Sequence, residues 1–168
     1  SRKQDSSFTA LTMHGGSGRP RFLKSLVYPS AHERDPRLEP LYEKYGATSV
    51  RLWLMCLSQP GVLYCTNPST LAVFLERLQQ DWAGARALLR DWIHGDLEGD
   101  WDAFVSALGA SRSRRDVLAV VGSVNTPSFG TLFPSVQAWC SWDGGYVQGY
   151  IDSIQRFLPA TIKHIAMY

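Results

Sequence analysis

Charge is scarce in this chain. Only 19% of its 168 residues are Asp, Glu, Lys or Arg, below the usual level of roughly a quarter. The 17 basic and 15 acidic side chains nearly cancel, at a formal +2, so there is no basic field of the kind that holds nucleic acid. Cysteine is scarce too. Cys56, Cys65 and Cys140 are odd in number and lack metal-ligand spacing, which argues against a disulfide scaffold and for a reducing, cytoplasmic compartment. No stretch approaches the ~18 to 20 uninterrupted apolar residues of a membrane span, so no membrane partner is expected. Ser1-Arg2-Lys3-Gln4-Asp5 has no apolar run after its basic pair, unlike a signal peptide, and the chain has no initiator Met. What is present is core material. The sequence is 45% hydrophobic and 12% aromatic, enough for one buried core and too apolar for a disordered chain.

Residues 1–40 read as an irregular Gly/Pro-rich lead-in, and residues 41–168 as an α/β portion. Pro29, Pro36 and Pro40 among charged groups argue against any long element within 21–46. A helix is expected from Leu41 through the apolar Arg51–Leu57 run to Pro60-Gly61, followed by a buried strand over Gly61–Thr66. Asn67-Pro68-Ser69-Thr70 is a strong helix start. Leu71, Phe74, Leu75, Leu78, Trp82, Ala85, Leu89 and Trp92 then recur at spacings of three and four, which predicts one helix of six or seven turns ended by His94-Gly95. Trp101, Phe104 and Leu108 suggest a short helix, Ser111–Arg115 a solvated basic turn, and Val117–Val121 either a strand or a helix end. From Val136 the pattern is strand, Asp143-Gly144-Gly145 turn, helix, then a strand over Thr161–Tyr168, with Tyr146, Ile151, Ile154 and Phe157 on one helix face. That is a βαβ unit, and the fold class is α/β with a parallel sheet.

Two glycine-rich places compete as binding elements. Gly144 and Gly145 stand at the carboxyl end of a strand, where ligands bind in open α/β sheets, and Trp142 beside them offers a flat face to a base. The plainer reading is a tight turn that needs glycine for its dihedrals, with Trp142 as packing. His14-Gly15-Gly16-Ser17-Gly18-Arg19-Pro20-Arg21 could cradle a phosphate, but it lacks a Walker ending, and a surface turn is the simpler account. His14, His32, His94 and His164 show no metal-ligand spacing and read as surface or helix-end residues. Glu76, Asp81 and Asp91 read as solvated positions on the long helix; Trp53, Trp82 and Trp92 read as core.

An ordered series of motifs resembles the acyl-acid amido synthetases of the Gretchen-Hagen (auxin-responsive) family. Cys65-Thr66-Asn67-Pro68-Ser69-Thr70-Leu71 with its Trp-bearing helix is similar to the middle of that family. Leu132-Phe133-Pro134 resembles its Leu-Trp-Pro lead into a strand, and Cys140-Ser141-Trp142-Asp143-Gly144-Gly145 its Cys-Trp-Thr-Gly-Gly turn. Ile151–Pro159 resembles the helix ending in Phe-Pro, and Ile165-Ala166-Met167-Tyr168 the strand entering the Tyr-x-Ser-Ser/Thr-Glu nucleotide motif. The resemblance covers about residues 40–168. It implies part of the large domain of an adenylate-forming enzyme that uses ATP and Mg²⁺ to activate a small carboxylic acid as an acyl-adenylate. The acyl group is then passed to an amino acid or other amine. On this resemblance Trp142, Asp143, Gly144, Gly145 and Tyr168 border the nucleotide and acyl pocket, Trp142 and Asp143 more weakly, because the family more often has Thr or a small residue at Asp143. The resemblance also places the Gly15–Gly18 run downstream of the phosphate loop and Phe22–Tyr28 at the stretch after it. The chain would then be a central piece, inactive alone, lacking the phosphate loop, the Ser-Ser/Thr-Glu carboxylate and the mobile carboxy-terminal domain. A non-catalytic α/β module for a small ligand, or an interaction scaffold, is the alternative.

Overall fold

A computed structural model describes residues 27–28, 31–110, 112–122 and 125–167. The Gly15–Gly18 run, Phe22–Leu26, Ser111 and Tyr168 lie outside the described residues.

Among the described residues, four strands form one sheet: β1 (Val27–Tyr28), β2 (Val62–Tyr64), β3 (Ala138–Trp142) and β4 (Lys163–Met167), in the order β1-β2-β3-β4. Every pairing is parallel, with Leu63 opposite Trp139 and Trp139 opposite His164. The α/β class and the βαβ unit expected from the sequence are present. A strand order that follows the chain, with connections of the usual right hand, carries all crossover helices to one face. Burial agrees. Leu63, Trp139 and Ser141 are buried, whereas Tyr64 and Cys140 are half-buried and Trp142 and Ile165 are exposed.

The first connection contains two short 3-10 turns, Ala31–Arg34 and Pro36–Leu38, and then helix α1 (Glu39–Ser58). The helix expected from Leu41 starts at Glu39, with Pro40 in its first turn, where no amide donor is needed. Gly46 interrupts α1 at φ 77 and ψ 164, so the apolar run belongs to a second, independently started segment.

The second connection corrects the long-helix expectation. Asn67 does cap α2 (Pro68–Gln80), accepting from the Ser69 amide at 3.0 Å. The helix then breaks at Asp81, whose carboxylate accepts from the Gly84 amide at 2.8 Å and opens α3 (Trp82–Ala85). A third piece, α4 (Ala87–His94), ends at Gly95 with φ 80. The physical reason is local competition: an aspartate can satisfy a backbone amide three residues on and start a new helix. The apolar stripe stays buried through both breaks, from Leu71 to Trp92.

Helix α5 (Trp101–Leu108) follows an Asp100 cap. The ambiguous Val117–Val121 segment is helical, inside α6 (Arg114–Gly122). Its start is a reciprocal capping box: the Ser113 amide donates to Asp116 at 3.0 Å, and the Asp116 amide to the Ser113 hydroxyl at 3.2 Å. The basic turn before it is not simply solvated. Arg112 donates to the Leu132 carbonyl at 3.1 Å, and Arg114 pairs with Asp102 at 2.7 Å. The acidic residues read as solvated are engaged too, Glu76 accepting from Ser153 and Asp91 from the Tyr45 hydroxyl. A short α7 (Phe129–Leu132) leads to β3, and α8 (Gln148–Phe157) joins β3 to β4.

The densest packing surrounds Trp53, which is fully buried. Phe104 stacks on it at 5.7 Å, while Trp92 and Trp101 meet it edge-on. Cys56, Cys65 and Cys140 are all free, and burial pushes the Cys56 and Cys65 thiols up to about 12, out of reactive range. No helix of the described residues is long and apolar enough to cross a membrane.

Candidate functional site at the strand ends

The carboxyl ends of β3 and β4 lie side by side, with Trp142 opposite Met167. Immediately beyond, the chain needs two residues with left-handed backbone. Gly144 has φ 97 and ψ 162, and Gly145 has φ 58. The first is a conformation reached essentially by glycine alone. After a 3-10 turn over Gly145–Val147 the chain enters α8, whose first amides have no side-chain cap.

A cavity of about 290 Å³ opens over this turn, lined by Trp142, Asp143, Gly144, Tyr146, Val147 and Met167. A Cβ built on Gly144 or Gly145 would meet nothing within 4 Å. The glycines therefore serve the backbone, as the plainer reading had it, and they also leave the approach to the turn open. Trp142 is not packing. It is 47% exposed, and Tyr146 is 82% exposed. The sequence pattern places Tyr146 on one helix face with Ile151, Ile154 and Phe157; the 3-10 turn instead rotates it off that face and into the cavity wall. Ile151 and Ile154 do lie on the buried face, and Phe157 is half-buried.

Of the residues assigned to the pocket, Trp142, Asp143 and Gly144 line one cavity and Gly145 continues the same turn, while Tyr168 lies outside the described residues. Among the described residues, the cavity lining includes one carboxylate, Asp143, and no Lys or Arg. No group of three or more His, Cys, Asp or Glu side chains able to hold a metal ion occurs among the described residues. A Mg²⁺ site is therefore not assigned to them.

His164 was read as a surface histidine. It is instead half-buried on β4 and stacks on Trp139, with centroids 3.9 Å apart and planes 18° apart. Its Nε2 lies 3.0 Å from the hydroxyl of fully buried Ser141, which also donates to the Trp142 carbonyl at 2.9 Å. Burial pushes the imidazole below its ordinary range, and the nearby Asp143 carboxylate pulls the other way. The period-2 placement of Ser141 and His164 on adjacent strands was the signal available in the sequence, but only strand register brings the two together. Beside them, the Thr66 hydroxyl at the end of β2 is buried without a partner among the described residues.

Comparison of the chain with family models, with curated proteins and with solved structures finds no match.

Proposed function

We propose that the chain supplies the strand-end wall of the nucleotide and acyl pocket of an ATP-dependent acyl-acid amido synthetase. The observation that carries this is the open cavity over the Gly144–Gly145 turn at the carboxyl ends of two parallel strands. Trp142 and Tyr146 offer aromatic faces on which a base or an aromatic acid can stack. The unsubstituted glycines let a ligand lie against the backbone. ATP would give its adenylyl group to the carboxylate with release of pyrophosphate, and an amino acid or amine would then displace adenosine monophosphate from the acyl-adenylate. The residues of this chain bind and orient; positioning is the part of the rate enhancement they can contribute.

The test is binding first, chemistry second. The 168-residue chain is expected to bind adenosine monophosphate with saturable quenching of indole fluorescence, and to show no acid-dependent ATP–pyrophosphate exchange. Saturable binding lost on widening the turn residue Gly145 to Val, with folding retained, supports the reading. No binding of the nucleotide contradicts it. The aromatic and apolar side chains that line the cavity among the described residues favour the second reading, a non-catalytic module for a small ligand. That reading predicts binding of an uncharged aromatic compound in preference to any nucleotide.

A further inference from the structure

We propose that His164 is a positioning residue for the strand-end cavity: through the Ser141 hydroxyl it fixes the Trp142 carbonyl, and so the direction in which Trp142 and the Asp143–Gly145 turn face a ligand. The inference rests on reading that cavity as the ligand site. It follows from counting protons and partners at the end of the sheet. The rungs between β2 and β3 continue past Tyr64, with Cys65 N donating to Cys140 O at 2.9 Å and Trp142 N to Thr66 O at 3.1 Å. There β2 stops. Asn67 turns away to cap α2, and among the described residues no bond from its amide to the Trp142 carbonyl occurs. The Trp142 carbonyl accepts instead from the Ser141 hydroxyl at 2.9 Å.

A serine has one proton to give. With that proton on the Trp142 carbonyl, the 3.0 Å contact to His164 Nε2 is made by the imidazole donating to the Ser141 oxygen. Both contacts are satisfied together only with the hydrogen on Nε2, which is the tautomer the network assigns. The ring cannot turn freely because it lies flat against Trp139. Imidazole, hydroxyl and carbonyl are thus locked in series, from the packed face of the sheet out to the residue that opens the turn.

The same count rules out a nucleophilic serine. Such a serine needs a base to accept its proton and a route to substrate. Here the imidazole donates, the hydroxyl is spent on a carbonyl, and Ser141 is fully buried. The pair acts on the ligand only through the backbone of Trp142.

Three variants of the full 168-residue chain separate this role from simple packing. Ser141→Ala removes the relay, His164→Phe keeps a flat ring on Trp139 without the donor, and His164→Gln keeps a donor without the ring. Adenosine monophosphate affinity, melting temperature and amide exchange at Asp143–Tyr146 are measured on each. Ser141→Ala and His164→Phe are expected to weaken binding by about fivefold each, as for loss of one hydrogen bond. The double variant should be no weaker than either alone, and His164→Gln should recover most of the loss. Exchange at the Gly144 and Gly145 amides should speed up in the first two variants. Unchanged affinity with a lowered melting temperature, or losses that add in the double variant, would overturn the proposal. If the unaltered chain binds no nucleotide, the ligand-site reading fails on its own. Amide exchange then still decides the relay, and unchanged exchange in His164→Phe overturns it.

Discussion

Trp53 and Trp142 are the same residue in opposite settings. Trp53 is completely buried between Phe104, Trp92 and Trp101 in the helical layer. Trp142 stands half-exposed at the end of a strand, beside a glycine turn and an exposed tyrosine. Burying a large aromatic is a strong stabilising term, and leaving one in water forgoes most of it. The helical layer invests its aromatics in the core; the strand ends hold theirs open to whatever enters the cavity. On the proposed function, stability and binding are separated in space, and the two regions should respond differently to the same kind of change.

The largest effect is expected from Trp53→Ala, which empties the centre of the aromatic cluster. A loss of about 3–5 kcal/mol is anticipated in denaturant unfolding, enough to leave little folded protein. A loss below about 1 kcal/mol would mean that the cluster is not the centre of the fold. Gly144→Ala comes next, because its φ of 97 with ψ 162 penalises any Cβ even though the space above it is open. A cost of about 1–3 kcal/mol is expected from the backbone alone. An alanine tolerated without cost would place the turn in a different conformation.

A smaller effect is expected from acid. Burial lowers the pKa of His164 from its ordinary 6.5, so the unfolded chain takes up that proton more readily than the folded one. The stability linked to this group is therefore full above that ordinary value and declines as the pH falls through it. Melting temperatures across pH 8 to 5 should show this slope in the unaltered chain and a shallower one in His164→Phe. Equal slopes would remove His164 from the account.

Much of the layout was legible in the residues, for local reasons. Asn67-Pro68 starts a helix because the cap and the proline both act within one turn, and Gly95 ends one for the same reason. The glycine turn after Trp142 was legible because a strand, two glycines and a helix in succession leave few conformations. What escaped the reading depends on side chains choosing between partners. Asp81 could have stayed in a continuous helix, and only its bond to the Gly84 amide shows that it starts a new one. Ser113 and Asp116 carry a capping-box spacing, obscured by the arginines around them. The Ser141–His164 contact joins residues 23 apart and exists only because β3 and β4 pair in one particular register. Tyr146 was misplaced by a single 3-10 turn, which shifts the helical phase between the turn and α8.

The most direct test of this separation is calorimetric titration of adenosine monophosphate into the unaltered chain and into Trp142→Ala, with melting temperatures of both. The account predicts that affinity falls about tenfold, as for loss of one stacked base. It also predicts that the melting temperature moves by less than about 4 °C. Equal affinity in the two proteins, or a collapse of folding like that expected for Trp53→Ala, would contradict it.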